Sequence, residues 1–139
     1  MAPFITTRKV RFADCDPAGI VFYPRHFEMI NGVVEDWFRD GLHYGFAKLH
    51  LDDGMTVPTA HIEADFIAPS RLDDELSFRL HVDKIGRTSA TLSITVNSGN
   101  DDRLKVMVVI VFVDLNKGQT QPWPDDIRTK MTHFQETEK

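Results

Sequence analysis

The chain has 139 residues, 42% hydrophobic and 27% charged, the balance of one globular domain with an apolar core of its own. The 21 acidic and 16 basic residues leave a net charge near -5, which argues against general attraction to nucleic acid or to an anionic membrane. Nothing approaches the roughly 20 apolar residues a bilayer span needs, MAPFITTRKV lacks the apolar core of a secretory signal, and the single Cys15 supplies neither an internal disulfide nor a zinc framework. The expected setting is therefore the cytoplasm, and with the histidines scattered and no HExxH pairing, no metal is expected.

Phe4 to Phe12 mixes Thr, Val, Ile and Phe with polar interruptions and reads as a strand ending at the break Asp14-Cys15-Asp16-Pro17-Ala18-Gly19. After the apolar run Ile20-Val21-Phe22-Tyr23, Pro24 suits the first turn of a helix, where a missing N–H costs little. Phe27, Ile30, Val33, Val34, Trp37 and Phe38 then recur at helical spacing, and Gly41 stops the helix. Residues 42–56 give mixed signals that fit a short second helix and a turn at Gly54. From there the period changes to that of strands: His61 to Ile67, Leu76 to Ile85, Thr88 to Val96 and Leu104 to Leu115, divided by short turns. Turns that short exclude parallel crossovers, so the expectation is an α+β domain with an antiparallel sheet wrapped on one dominant helix. The run VMVVIVFV at 106–113 is too continuous for a strand with one wet face, and predicts a central strand covered on both sides, in part by a second subunit.

Asp16 stands directly before a Pro-Ala-Gly turn and a few residues ahead of the helix. Turn chemistry alone accounts for an Asp at such a place. The amides around Tyr23, at the positive end of the helix, add the second ingredient of acyl hydrolysis. A carboxylate attacks or activates water, and N–H groups hold the developing oxyanion. Because Pro24 has no N–H, the donor falls to Tyr23 or to a flanking residue such as Phe22.

The stretch Phe12-Ala13-Asp14-Cys15-Asp16-Pro17-Ala18-Gly19-Ile20-Val21-Phe22-Tyr23-Pro24 resembles the N-terminal signature of the 4-hydroxybenzoyl-CoA thioesterase family of hot-dog proteins. Ala64-Asp65-Phe66-Ile67-Ala68-Pro69, Leu72-Asp73-Asp74-Glu75-Leu76 and Trp123-Pro124-Asp125-Asp126-Ile127 extend the likeness to roughly residues 5 to 130. The resemblance implies a long helix wrapped by an antiparallel sheet, and homo-oligomers built as dimers of dimers with shared sites. It implies an acyl-CoA substrate, no cofactor apart from the coenzyme A the substrate carries, and neither nucleic acid nor membrane as partner. Asp16 takes the place of the nucleophile or general base, Asp14 a less central one, and the Tyr23 backbone N–H that of the carbonyl-polarising donor. The DCDPAGIV stretch is closest to members with aromatic substrates. Asn31 falls where the hydroxybenzoyl-specific enzyme places a carboxylate, so the ring substituent stays open. Lys84, Arg87 and Thr88, around the Gly86 turn, fall where the family binds nucleotide phosphates, although an ordinary charged hairpin has the same look; Arg128 and Lys130 are weaker candidates.

His26 and His61 read as structural histidines. Four other readings compete: a thioesterase for short aliphatic acyl-CoA, an acyl-CoA-binding hot-dog protein without turnover, an acyl-thioester hydratase, whose motif is missing here, and an aspartyl phosphatase, whose parallel α/β pattern is missing too.

Overall fold

The computed structural model describes residues 2–135. Its frame is a five-stranded antiparallel sheet of β1 (Phe4–Lys9), β3 (Thr59–Phe66), β4 (Glu75–Ile85), β5 (Ser89–Ser98) and β6 (Asp101–Val111), in the order β1-β4-β5-β6-β3. Alternation in the sequence explains which face is inside. On β4, Leu76, Phe78, Leu80 and Val82 are buried, and the register sets Phe78 against Val96, Leu80 against Ile94 and Val82 against Leu92 of β5. The same rows continue onto β6, where Val106 pairs with Ile94 and Val108 with Leu92. Period-two side chains thus form one apolar face across three strands.

Helix α1 (Tyr23–Asp36) lays His26, Ile30, Val33 and Val34 into the core, and a π-helical turn, Trp37–Gly41, continues it to bury Trp37 and Phe38. Burying each such large side chain is worth about 1.5–3 kcal/mol. Gly41, the last residue of this run, has no room for a side chain: a Cβ there would lie 2.7 Å from Trp37 Cδ1 and 3.0 Å from the Phe134 ring. The short second helix is a π-helical segment, Ala47–Asp52, and Gly54 turns at a φ of +66°, which glycine adopts without strain.

The α+β arrangement is as expected, with differences that have physical causes. The first strand ends at Lys9, three residues early, because Phe12–Asp14 coils into a 3-10 turn tied by Asp14 N–H to the Arg11 carbonyl. The last long run divides: β6 stops at Val111, and β7 (Val113–Asp114) joins β2 (Met55–Thr56) and β8 (Gln119–Thr120) in a small second sheet in the order β2-β7-β8. In the run 106–113 Val106, Val108 and Ile110 are buried and Met107, Val109 and Val111 half-buried, so the described residues cover one face fully and the other in part. A C-terminal helix, α2 (Asp125–Thr132), buries Ile127 and Met131; the periodicity had not indicated it.

Candidate functional site

The Asp16 loop is built almost entirely from its own residues. Pro17 at the second position, with Asp first and Gly last, is the pattern of a tight turn, and the Gly19 N–H closes it on the Asp16 carbonyl at 2.9 Å, with Gly19 at a φ of +81°. The Ala18 N–H donates to Asp16 Oδ1 at 2.9 Å, which pins the carboxylate and leaves its second oxygen without a donor among the described residues. Asp14 is used differently: its Oδ2 accepts the Arg11 N–H at 2.9 Å, capping the 3-10 turn, and its carbonyl accepts the Phe22 N–H at 2.9 Å.

That last bond settles which amide is left. Phe22 is spent on Asp14, Pro24 has none, and the Tyr23 N–H, the first of α1, has no acceptor among the described residues. It is one of the orphan donors that every helix start leaves, at the end where the backbone dipoles favour negative charge.

Behind the loop lies a charged brace absent from the sequence reading. The Val21 N–H donates to the buried Ser70 carbonyl at 2.8 Å, and Val10 N–H to Asp74 at 2.8 Å. Arg103 Nη1 gathers these partners, donating to Asp74 Oδ2 at 2.7 Å, the Pro69 carbonyl at 3.1 Å and Ser70 Oγ at 3.2 Å. The Arg103 guanidinium, helped by the Arg71 N–H, holds the Asp74 carboxyl below the usual carboxylate range. A lone Arg near the start of a strand gave no signal of this role, because its partners are some thirty positions away in sequence.

Three depressions surround the segment. Asp16 lines one of about 440 Å³ with Phe12, Cys15, Pro17, Gly19 and Leu72. Tyr23 and His26 line a second of about 300 Å³, with Phe66 and Pro69 on its far wall. Asn31 lines the largest, about 570 Å³ along the flank of α1, with Phe27, Ile30, Val34, His50, Thr56 and Ile110 among its walls. Within one chain, then, Asp16 and Tyr23 line neighbouring depressions, and Asn31 lines a third. Phe27 and Phe66, in edge-on contact at 6.0 Å between ring centroids, stand between the second and third.

Lys84, Arg87 and Thr88 lie at the other end of the molecule. Lys9 pairs with Glu75, so the chain reaches the Asp16 loop at the start of β4, while Lys84 sits at its end, about 30 Å away at roughly 3.3 Å per residue. Arg128, a weaker candidate, is occupied elsewhere: its guanidinium donates to the Gly86 carbonyl at 2.7 Å and fastens the hairpin, which makes it a structural residue. Lys130 borders a separate hollow with Gly41 and His133. His61 is exposed on β3 beside Glu63, with Nε2 and Oε2 2.9 Å apart. His26 is buried, its Nδ1 has no partner among the described residues, and burial lowers its pKa against the opposing pull of Asp14.

Residues 10–131 match the model of the thioesterase-like superfamily. A 1,4-dihydroxy-2-naphthoyl-CoA hydrolase of Nostoc punctiforme is 27% identical over 129 residues, covering 89% of this chain and 83% of that protein. Among solved structures, a 1,4-dihydroxy-2-naphthoyl-CoA thioesterase from Synechocystis superposes with a TM-score of 0.85 at 20% identity, over 94% of this chain and 96% of the other. A gentisyl-coenzyme A thioesterase superposes at 0.84, also at 20% identity, over 92% and 99%. At that identity the superpositions establish the hot-dog fold.

Proposed function

The chain belongs to the thioesterase-like superfamily and is a thioester hydrolase, and from that premise we propose that it hydrolyses the CoA thioester of a compact aromatic acid to free acid and CoA. The observation that carries this reading is the pairing of a pinned Asp16 carboxylate with an unspent Tyr23 N–H at the two ends of one short loop. The thioester carbonyl oxygen accepts the Tyr23 N–H while Asp16 acts at the carbonyl carbon. Asp16 either adds to it, expelling CoA thiolate and leaving a mixed anhydride that water cleaves, or takes a proton from the attacking water. Thiolate leaves readily, so neither route needs a dedicated general acid or a cofactor.

The aromatic preference rests on the DCDPAGIV stretch, which resembles the signature of the 4-hydroxybenzoyl-CoA thioesterase family, and on relatives named for hydroxylated aryl-CoA esters. Asn31 on the wall of the 570 Å³ cavity is the substrate contact in this reading. In this reading Lys84, Arg87 and Thr88 take the CoA phosphates and, being remote from Asp16 of their own chain, serve the site of a second copy. Strand β3 supports such a homo-oligomer: it is a sheet edge, mostly exposed, and its last residue, Phe66, joins Tyr23 and Phe22 in an exposed aromatic patch. An unpaired edge with apolar side chains beside it is a template for another chain. We place the reaction in the cytoplasm, on a dissolved substrate.

The test is thiol release from benzoyl-, hydroxybenzoyl-, phenylacetyl-, acetyl- and palmitoyl-CoA by the parent and by Asp16→Asn. Aryl-CoA turnover that disappears in the variant is the expected result. Turnover confined to aliphatic esters would overturn the substrate class, and unchanged turnover in Asp16→Asn would overturn the site.

A further inference from the structure

We infer that the Thr56 hydroxyl, oriented by His50, is a specificity contact that accepts a hydrogen bond from a hydroxyl on the acyl group. The inference deepens the aryl-CoA reading above and rests on it. Both residues line the 570 Å³ cavity, which has Phe27, Ile30 and Val34 from α1 and Val108 and Ile110 from β6 on its apolar walls and Glu28, Asn31 and Thr59 as its other polar residues. Cavities of this size, mostly apolar with a few polar groups, suit small-molecule ligands.

The direction of each hydrogen bond follows from what the partners are able to do. His50 Nδ1 lies 3.0 Å from the Phe46 carbonyl, and a carbonyl only accepts, so Nδ1 carries the proton. In the neutral ring Nε2 is then the acceptor, and the Thr56 Oγ1 hydrogen, with Oγ1 3.2 Å away, is the one that fills it. The donor capacity of Thr56 is thereby used up, while its lone pairs have no donor among the described residues. A ligand that offers a hydrogen, such as a phenolic hydroxyl, completes this corner of the cavity; a ligand that offers only an acceptor there meets no donor from Thr56.

The local structure makes the orientation rigid. His50 belongs to the π-helical segment Ala47–Asp52, its ring packs edge-on against Phe46 at 5.0 Å, and Thr56 is held in β2 by pairing with Val113. Departures from α-helical winding of this kind recur at functional sites. Here the wide turn brings an imidazole from one element onto a hydroxyl from the next.

The experiment compares kcat/KM for benzoyl-CoA with that for ortho-, meta- and para-hydroxybenzoyl-CoA in the parent, Thr56→Val and Thr56→Ser. Valine keeps the shape and suits a strand. The expected result is a loss of about fivefold to tenfold for the best hydroxylated ester in Thr56→Val, the size of one neutral hydrogen bond, with benzoyl-CoA changed less than about twofold and Thr56→Ser near the parent. An equal fall for both esters would mean that Thr56 only fastens the fold, and no fall would mean that it does not touch the substrate; either overturns the inference. A parent inert toward every aryl ester would instead bring down the aryl-CoA reading and this inference with it.

Discussion

The Asp16 loop and the β4–β5 hairpin carry the two halves assigned to one site, and they are built in opposite ways. Between Arg11 and Phe22 nearly every shaping hydrogen bond runs between residues two to eight apart, so the turn, the pinned carboxylate and the unspent Tyr23 N–H are local products of the sequence. The hairpin closes locally through the Gly86 N–H on the Ser89 carbonyl but is further secured from far away: Arg128 holds the Gly86 carbonyl, the Trp123 N–H the Arg87 carbonyl, and the Trp123 indole the Ser89 carbonyl. Local bonding orients the half-buried Asp16 carboxylate. Remote bonding fixes the backbone and leaves Lys84 and Arg87 projecting into solvent, as a recognition surface requires.

The sharpest way to break this contrast is at Asp16. Asp16→Asn keeps an oxygen for the Ala18 N–H and removes the charge, so turnover should fall by about a thousandfold or more with the melting temperature nearly unchanged. Equal losses of activity and stability would show the residue to be structural.

Next in size is the hairpin. Lys84→Ala/Arg87→Ala should raise KM for the CoA ester about tenfold with kcat held, because only ground-state binding of the phosphates is removed. If the two regions serve each other across copies, mixing this variant with Asp16→Asn under subunit exchange should restore parent-like KM in part of the activity. Absence of any recovery, with exchange verified, would place each site within one chain.

Smaller effects probe what lies beneath the loop. Asp14→Ala removes the cap on the Arg11 N–H and should cost about 1 kcal/mol of stability, read by urea unfolding, with most of the turnover kept. Asp74, held below the usual range by Arg103, contributes stability that is complete above an unfolded-state pKa of about 4 and is lost as the pH falls through its lower folded value. Asp74→Asn should therefore flatten the decline of melting temperature below about pH 4; an unaltered slope would remove the brace from the account. The smallest change is expected for Tyr23→Phe, about twofold or less in turnover, because the proposed mechanism uses the backbone N–H and not the phenol. A large loss there would give the ring hydroxyl a role.

What was legible in the sequence were the features whose causes lie within a few residues of one another. The alternating runs that became β4, β5 and β6, the apolar stripe of α1 and its stop at Gly41, and the Asp-Pro-Ala-Gly turn belong to this group. Tertiary structure decided the rest. It divided the last long strand to form the β2-β7-β8 sheet, and assigned Arg128 to the hairpin backbone and Arg103 to the floor of the Asp16 loop. It also set Asp16, Tyr23 and Asn31 on the walls of three neighbouring depressions. The division has a physical reason. Turn and helix preferences act over one or two turns of chain, whereas which cation meets which carbonyl depends on the sheet order and register that bring positions thirty to forty apart into contact.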